Sequence, residues 1–393
     1  MQRRTLLQTA PLLLRPDLVF GSQANSTIEL GLVGCGGRGN WIAPLFTEYA
    51  PTRWVALADV VKSKLESTRD KLKVDAARAY HGPDAYRELA HSQVDAVVIE
   101  TPTYYHPSQA AAAVDAGKHC YCAKQIAVDV PSSKDFLAAG QRAQSKSLSF
   151  WVDFQSRARP VFQEAVERIR RGDIGKPATA QIFYFAGRPW KDPEDRAMDP
   201  QLRRMITWFG DRTISGDIIV EQNIHVIDMA NWYLGSHPLR ASGTGGRADW
   251  SGTQNTIGDA YDHFNLTYWY PGDVHASFSS HQLNGAFSDL CVRCTGVHGT
   301  ADTHYGGLVR IVGDKPWQGA GNDDTFRGGC VSNIQAFIDS IRNAKPIYNA
   351  ATAVESNLTA ILGRTAAYEQ RMVTWEQMMA STERWQVNLP LKW

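Results

Sequence analysis

The chain has 393 residues, of which 43% are hydrophobic, and a length above about 300 residues predicts two domains rather than one. Its 41 Lys and Arg residues against 40 Asp and Glu residues give a net charge of +1, which argues against a polyanionic partner such as nucleic acid. After the first 27 positions no run of about 18 apolar residues occurs, so no membrane partner is expected.

Residues 1–27 are predicted to lie outside the fold, as an export signal or a disordered arm. The segment around Arg3-Arg4 resembles a twin-arginine signal, and it precedes an apolar run at 10–14 and a small-residue site at Ser22-Gln23-Ala24. This pattern predicts a periplasmic or secreted protein. Because Arg15-Pro16-Asp17 interrupts the apolar region, a cytoplasmic protein with a frayed N-terminal arm stays the alternative.

The first predicted strand, residues 28–33, leads into a glycine-rich turn and then into a helix-compatible segment at 40–49. The turn reads Gly34-Cys35-Gly36-Gly37-Arg38-Gly39, and Gly-x-Gly-x-x-Gly between strand and helix is typical of dinucleotide binding. Gly34 permits the tight bend, Gly36 lets the backbone approach a pyrophosphate, and Gly39 allows close helix packing. A glycine turn in another kind of α/β protein is the alternative.

A second apolar strand at 54–58 ends in Asp59, which lies 20 positions after Gly39. That spacing places a carboxylate at the ribose 2′-hydroxyl of a dinucleotide. A carboxylate accepts hydrogen bonds from the hydroxyl but repels a 2′-phosphate, so NAD is predicted in preference to NADP. Lys62 and Lys64 lie near enough to leave NADP as the alternative.

Short apolar strands alternate with helical segments across residues 28–150, which predicts a doubly wound parallel sheet. A strand at 95–100 ends in Thr101-Pro102, His106 begins an alanine-rich helix, and the strand at 119–122 delivers Lys124 at its carboxyl end. Ligands bind at the carboxyl ends of such strands. The predicted cofactor-binding residues are Gly34, Gly36, Gly37, Arg38, Gly39, Asp59, Thr101, Pro102, His106 and Lys124.

The pattern changes in residues 151–393. A helix after Pro160 precedes strand-like stretches at 179–185, 262–270, 274–280 and 290–294, and helices are predicted at 222–233, 331–342 and 354–368. Short turns join these strands, so we predict an α+β domain with a mainly antiparallel open sheet. The six cysteines show no zinc-site spacing, and no metal is expected.

Taken together, these features resemble the glucose–fructose oxidoreductase, inositol dehydrogenase and rhizopine catabolism (Gfo/Idh/MocA) family over about residues 28–376. The Glu-Lys-Pro signature of that family corresponds to Ala123-Lys124-Gln125, which keeps only the lysine. A second signature, Asp-x-Gly-x-His-x-x-Asp, corresponds to residues 221–228 and departs from it at the first and third positions. The resemblance implies a Rossmann dinucleotide-binding domain, a substrate-binding domain and NAD as cofactor.

The family also implies how the residues act. A substrate hydroxyl loses hydride to the nicotinamide while His225 removes its proton, since an imidazole has a suitable near-neutral pKa. Lys124 hydrogen-bonds the same oxygen, and Glu221, which lies four residues before His225 and on the same face if that turn is helical, fixes its tautomer or relays the proton. The alternatives are a packed helix-face histidine, a surface lysine and a helix-start carboxylate.

Two enzymatic hypotheses follow. One is an NAD-dependent dehydrogenase for a secondary hydroxyl of a sugar, polyol or glycoside; the other is a glycoside-cleaving enzyme that oxidises C3 transiently and eliminates the aglycone. A non-catalytic sensor is disfavoured because Lys124 and His225 are present. A carbohydrate substrate and a homo-oligomer are expected, with substrate contacts from His225, Arg157 and Trp208. Further candidates for the sugar pocket are Tyr184, Trp190, Arg203 and Arg204.

Overall fold

The first domain is built on a six-stranded parallel sheet with the strand order β3-β2-β1-β4-β5-β6, as the alternating pattern predicts. The computed structural model describes residues 27–189, 199–250 and 258–388, so Arg3, Arg4 and Trp190 lie outside the described residues. The strands are β1 Ile28–Val33, β2 Thr52–Asp59, β3 Ala79–His81, β4 Ala96–Ile99, β5 His119–Cys122 and β6 Phe150–Val152. The helices are α1 Gly37–Tyr49, α2 Lys62–Leu72, α3 Ala85–His91, α4 His106–Asp115 and α5 Val130–Ser145, with 3-10 turns at Ala76–Arg78 and Thr103–Tyr105.

Strands β1 and β4 are buried because helices cover both faces of the sheet. Leu30, Leu32 and Val98 have no exposed surface, which explains their continuous apolar sequence. Strand order reverses between β1 and β4, and this reversal opens a crevice at the carboxyl ends of the strands. The glycine turn after β1 and the residues that follow β4 and β5 therefore converge on one crevice.

The second domain contains a nine-stranded sheet with the order β14-β13-β12-β11-β7-β10-β9-β8-β15. Among the described strands of this sheet, only β7 and β10 pair in parallel, so the sheet is mainly antiparallel, as predicted. The strands are β7 Pro177–Ala186, β8 Arg240–Gly246, β9 His263–Tyr270, β10 Val274–Gln282, β11 Asp289–Gly296, β12 Gly299–His304, β13 Val309–Gly313, β14 Trp317–Ala320 and β15 Val373–Thr374. The helices are α6 Pro160–Arg170, α7 Pro200–Ile206, α8 Arg212–Ser215, α9 Ile218–Glu221, α10 Ile224–Leu234, α11 Thr325–Arg342, α12 Ala350–Glu369 and α13 Trp375–Met379, with 3-10 turns at Ser156–Ala158 and Trp208–Gly210.

Helix α11 joins the two domains. Its buried residues Ile334 and Phe337 share a core with Phe46 and Tyr121 of the first domain, and the rings of Tyr121 and Phe337 lie 5.4 Å apart. The predicted division at residue 150 falls within β6 of the first sheet, and α11, from the second predicted domain, packs on the first domain.

The six cysteines are all buried and free. Cys120 and Cys122 lie inside β5 and act as small apolar residues there, as the strand pattern indicates. Within the described ranges, none of the helices is both long and apolar enough to cross a bilayer.

Candidate functional site

A cavity of about 870 Å³ lies at the carboxyl ends of the parallel strands, with the second domain forming its opposite wall. Most of the predicted site residues line it: Gly34, Gly36, Gly37, Arg38, Asp59, Thr101, Pro102, Lys124, Trp208, Glu221 and His225. Residues from the glycine turn and from both predicted signatures thus share one chamber, although Gly34 and His225 lie 191 positions apart. A chamber of this size lies within the range typical of small-molecule and cofactor sites.

The three signature glycines have different surroundings. Gly34 has φ +101°, and a Cβ at this position would lie 2.7 Å from the backbone of Glu100. A Cβ on Gly39 would lie 2.0 Å from the carbonyl oxygen of Gly34, so Gly39 serves helix packing and does not line the cavity. Gly36 faces open space instead, which leaves its backbone accessible to a ligand.

The N-terminus of α1 opens onto the cavity and fits an anionic group. Gly36 caps the helix without a side-chain hydrogen bond, and the first turn contains no acidic residue. The side-chain amide of Asn40 donates to the carbonyl oxygens of Cys35 and Gly36 and to Oγ1 of Thr68, which holds the turn in place. Free N–H groups and the helix dipole at such an end favour a phosphate.

Asp59 ends β2 at the opposite side of the turn. Its two carboxylate oxygens accept hydrogen bonds from the backbone N–H groups of Cys35 and Val61, both at 2.6 Å. Burial raises the pKa of Asp59, while those two backbone donors lower it. The backbone therefore fixes the carboxylate, whose remaining lone pairs are able to accept ribose hydroxyls. Together with the glycine turn, this arrangement fits a dinucleotide.

Arg38 connects the glycine turn to the second domain through a buried polar chain. Its Nη2 donates to Oδ2 of Asp153 at 2.6 Å, and Nε lies 3.6 Å from Oε2 of Glu100. Nε2 of Gln155 also donates to Asp153, and the hydroxyl of Tyr305 donates to Gln155. Burial lowers the pKa of Arg38, but Asp153 and Glu100 more than offset this effect and hold it above its ordinary value.

A second chain of contacts organises the end of the cavity at β5. Nζ of Lys124 lies 3.2 Å from Oε1 of Glu221. The side-chain amide of Gln222 donates to the other oxygen of Glu221, and the hydroxyl of Tyr184 donates to Gln222 at 2.6 Å. Glu221 is only 2% exposed, so its charge is balanced by Lys124 rather than by solvent.

The local fold before Glu221 explains its position. Helix α10 begins at Ile224, two residues later than predicted, and residues 222 and 223 separate it from the short helix α9, so Glu221 and His225 do not share one continuous helix. Asp217 adopts a positive φ of 77°, and its carboxylate accepts hydrogen bonds from the N–H of Ile218 and the hydroxyl of Tyr368. The expected Glu221–His225 pairing is therefore replaced by the Lys124–Glu221 pair.

His225 lines the cavity from the start of α10. Burial lowers the pKa of His225 well below its ordinary value, and the positive charges of Lys124 and Arg38 lower it further. This differs from the near-neutral pKa predicted from the residue type. The imidazole is consequently neutral, with its ring centroid 5.0 Å from that of Tyr305, and a neutral imidazole has a lone pair that accepts a proton.

Two predicted site residues have structural positions instead. The ring nitrogens of His106 lie 2.5 and 2.7 Å from the carbonyl oxygens of Gln125 and Thr101, so the fully buried ring ties two loops together beneath the cavity. Burial lowers the pKa of His106 to about 4. Arg157 makes a bidentate ion pair with the buried Asp228 and lines a separate cavity, away from the predicted substrate.

Of the further pocket candidates, Tyr184 lines the cavity, whereas Arg204 is paired with Asp211. Sequence reasoning missed Glu100, Gln155, Gln222 and Tyr305 as cavity residues. Glu100 could have been identified from the sequence, because it is an acidic residue at the end of an apolar strand. Tyr305 could not, because only the pairing of β11 and β12 brings it to the cavity.

Each of the two domains matches a known protein family. Residues 28–154 match the oxidoreductase family described as an NAD-binding Rossmann fold, and residues 162–302 match the GFO/IDH/MocA C-terminal domain. The chain is 27% identical over 219 residues to the scyllo-inositol 2-dehydrogenase (NAD(+)) of Bacillus subtilis strain 168, covering 56% of this chain and 57% of that protein. The chain thus spans about half the length of the relatives it matches.

Two further comparisons are a partial sequence match and a match to a solved structure. A glycosyl hydrolase family 109 protein of Solibacter usitatus strain Ellin6076 is 33% identical over 118 residues, which is 28% of this chain and 25% of that protein. The solved structure of a levoglucosan dehydrogenase in complex with NADH and levoglucosan covers 90% of this chain and 100% of its own, with a TM-score of 0.71 and 18% identity. At that identity the structural likeness establishes the fold.

Proposed function

This chain belongs to the Gfo/Idh/MocA family of NAD-binding oxidoreductases, and on that basis we propose that it is an NAD-dependent dehydrogenase for a secondary hydroxyl of a sugar, polyol or glycoside. One observation carries the proposal: Lys124, Glu221 and His225 line the same cavity as the glycine turn and Asp59. When bound, NAD supplies the hydride acceptor. The residues that would hold it are the glycine turn, the N-terminus of α1 and Asp59.

The chain's own residues supply the proton chemistry. Neutral His225 removes the proton of the reacting hydroxyl, and the ammonium group of Lys124 donates a hydrogen bond to the same oxygen and stabilises its developing negative charge. Glu221 positions the side chain of Lys124 through their ion pair. Trp208 and Tyr184 line this chamber and offer aromatic surfaces suited to the C–H faces of a sugar.

The proposal is tested by measuring NAD reduction at the NADH absorbance band with free sugars, inositols and glycosides. A dehydrogenase gives stoichiometric NADH with at least one of these substrates, and Lys124→Ala abolishes the signal. If every member of the panel fails while NAD binds normally, the proposed substrate class is wrong.

Redox-assisted glycoside cleavage is the second candidate, and the observation behind it is the match of 28% of this chain to a glycosyl hydrolase family 109 protein. Oxidation at C3 makes the C2 proton acidic, the glycosidic bond is lost by elimination, water adds, and hydride returns to C3. Release of the aglycone from an aryl glycoside without net NADH formation distinguishes this reaction from simple dehydrogenation.

Export and self-association stay proposals. Changing Arg3 and Arg4 to Lys tests export, because a twin-arginine substrate would then accumulate in the cytoplasm as a longer precursor. The face of the second sheet that carries the exposed residues Thr179 and Ser277 is the surface we propose for a homo-oligomer. Light scattering during size-exclusion chromatography measures the oligomeric state.

A further inference from the structure

Glu100 is the feature of the cavity that these roles leave unexplained. Its side chain is fully buried at the cavity wall, and neither carboxylate oxygen has a hydrogen-bond partner among the described residues. The nearest cation is Arg38, whose Nε lies 3.6 Å away while its Nη2 donates to Asp153 at 2.6 Å. A buried carboxylate without donors is costly, so these acceptors point to a ligand that brings donors.

The sheet register places Glu100 along the path that a dinucleotide must take. Ile99 pairs with Val33 of β1 and with Cys122 of β5, so Glu100 lies between the glycine turn and the segment that carries Lys124. A cofactor with its adenosine ribose at Asp59 and its pyrophosphate at α1 extends its other half over the ends of β4 and β5. The end of β4 that carries Glu100 therefore lies next to the nicotinamide half.

The charges at this end of the cavity leave Glu100 without full compensation. Asp153 offsets the charge of Arg38, Glu221 offsets that of Lys124, and the lowered pKa of His225 keeps that ring neutral. One negative charge then remains on Glu100. The nicotinamide half offers ribose hydroxyls and a carboxamide N–H as donors, and its ring is positively charged only in the oxidised cofactor.

We propose that Glu100 accepts hydrogen bonds from the nicotinamide half of NAD and that its charge makes the site bind NAD⁺ in preference to NADH. The inference rests on NAD as the cofactor of the proposed function and is independent of the substrate. A residue that stabilises the oxidised cofactor lowers the tendency of bound NAD to accept hydride and favours release of NADH after oxidation.

The same charge couples cofactor binding to pH. Burial raises the pKa of Glu100 to about 7; Arg38 from α1 and Lys124 after β5 oppose the rise, and Asp153 after β6 adds to it. A cationic ring favours the ionised carboxylate, so NAD⁺ binding releases a larger fraction of a proton near neutral pH than NADH binding does. The affinity for NAD⁺ is therefore expected to increase between about pH 6 and about pH 8, relative to NADH.

Isothermal titration calorimetry with NAD⁺ and with NADH tests the proposal on the full-length protein, without any substrate. The ratio of the two dissociation constants, NADH over NAD⁺, should fall about 10-fold in Glu100→Gln at about pH 8, which corresponds to about 1.4 kcal/mol. Glu88→Gln, which removes an exposed charge from the same domain, is the matched control and should keep the wild-type ratio.

A ratio that stays within about 2-fold of wild type in Glu100→Gln overturns the proposal, given the tenfold expectation from one charge. If that variant does not fold, the wild-type protein provides the test. Its NADH over NAD⁺ ratio of dissociation constants must increase between about pH 6 and about pH 8, and a ratio that does not change with pH also overturns the proposal. Because no step uses a substrate, failure of the sugar screen leaves this result unaffected, and failure here leaves the dehydrogenase proposal standing.

Discussion

Nζ of Lys124 lies 3.2 Å from Oε1 of Glu221, although the two residues are 97 positions apart and belong to different domains. This ion pair crosses the cavity between the end of β5 and the end of α9, next to His225. It joins the lysine of one predicted signature to the acid of the other. The pair therefore makes the relative position of the two domains part of the proposed catalytic geometry.

The first prediction concerns the proposed proton chemistry. Replacing Lys124 or His225 by Ala should lower kcat by about 10²–10⁴ on a confirmed substrate, because each removes a group that acts on the reacting oxygen. NAD affinity, measured by fluorescence titration, should stay near the wild-type value, since the glycine turn and Asp59 are unchanged. Normal turnover in His225→Ala would show that His225 is a packing residue.

The lowered pKa of His225 adds a condition to that prediction. Wild-type kcat/KM should show no inflection from His225 near 6.5, its ordinary value, because burial and two cations keep the ring neutral there. An inflection near 7 is instead expected to come from Glu100 and to disappear in Glu100→Gln. Initial rates across the pH range, in wild type and in this variant, separate the two residues.

The second prediction separates a positioning role of Glu221 from a structural one. Glu221→Gln should lower kcat about 10-fold or more with little change in KM, because Lys124 loses the carboxylate that positions it at the reacting oxygen. Tyr184→Phe, which removes only the donor to Gln222, should give a smaller effect of the same sign. An unchanged kcat in Glu221→Gln, with a change in stability alone, would contradict this role.

The first domain was predictable from sequence because its signals are local. A parallel strand buried on both faces reads as an apolar run, and the glycine turn and Asp59 have fixed spacing along the chain. Strand β8 was missed because three glycines and small polar residues dominate 240–246, and its place is set by pairing with β9. Helix α11 was predicted in part, but its partner Tyr121 lies more than 200 positions away.

The predictions of site residues were wrong where the side-chain environment, and not the spacing along the chain, decides the role of the residue. His106 follows Thr101-Pro102 closely in sequence, yet its ring points beneath the loop and both nitrogens meet carbonyl oxygens. Arg157 has the charge of a substrate ligand but is held by Asp228. Neither environment is visible without the tertiary contacts, since each partner comes from a different segment of the chain.

The third prediction contrasts two glycines of the same turn. Gly36→Ala should leave the melting temperature unchanged, because the added Cβ meets no atom within 4 Å, and should weaken NAD binding about 10-fold or more by occupying space at the pyrophosphate. Gly39→Ala should lose about 1–3 kcal/mol of stability or more, since its Cβ would lie 2.0 Å from a backbone oxygen. Thermal unfolding and nucleotide titration of both variants check the contrast.

The fourth prediction concerns the cofactor. The wild-type protein should bind NAD at least about 10-fold more tightly than NADP, because the Asp59 carboxylate repels a 2′-phosphate. Asp59→Ser should reduce that preference, mainly by weakening the binding of NAD. Titration of both nucleotides by protein fluorescence gives the ratio, and equal affinities in the wild type would remove Asp59 from the ribose site.

The last prediction tests the buried charge of Glu100 without any ligand. Folding raises its pKa from 4.5 to about 7, so between these values the folded protein holds a proton that the unfolded chain has released. Stability from this group is therefore fully present below about pH 4.5 and is lost as the pH rises through about 7, by a total on the order of 3 kcal/mol. Glu100→Gln mimics the protonated acid at every pH. Urea unfolding should thus show nearly equal stability of the two proteins at the acidic end and a more stable variant at about pH 8, whereas Glu88→Gln follows wild type throughout. Parallel curves for wild type and Glu100→Gln would mean that Glu100 is not a strained buried charge in the nucleotide-free protein.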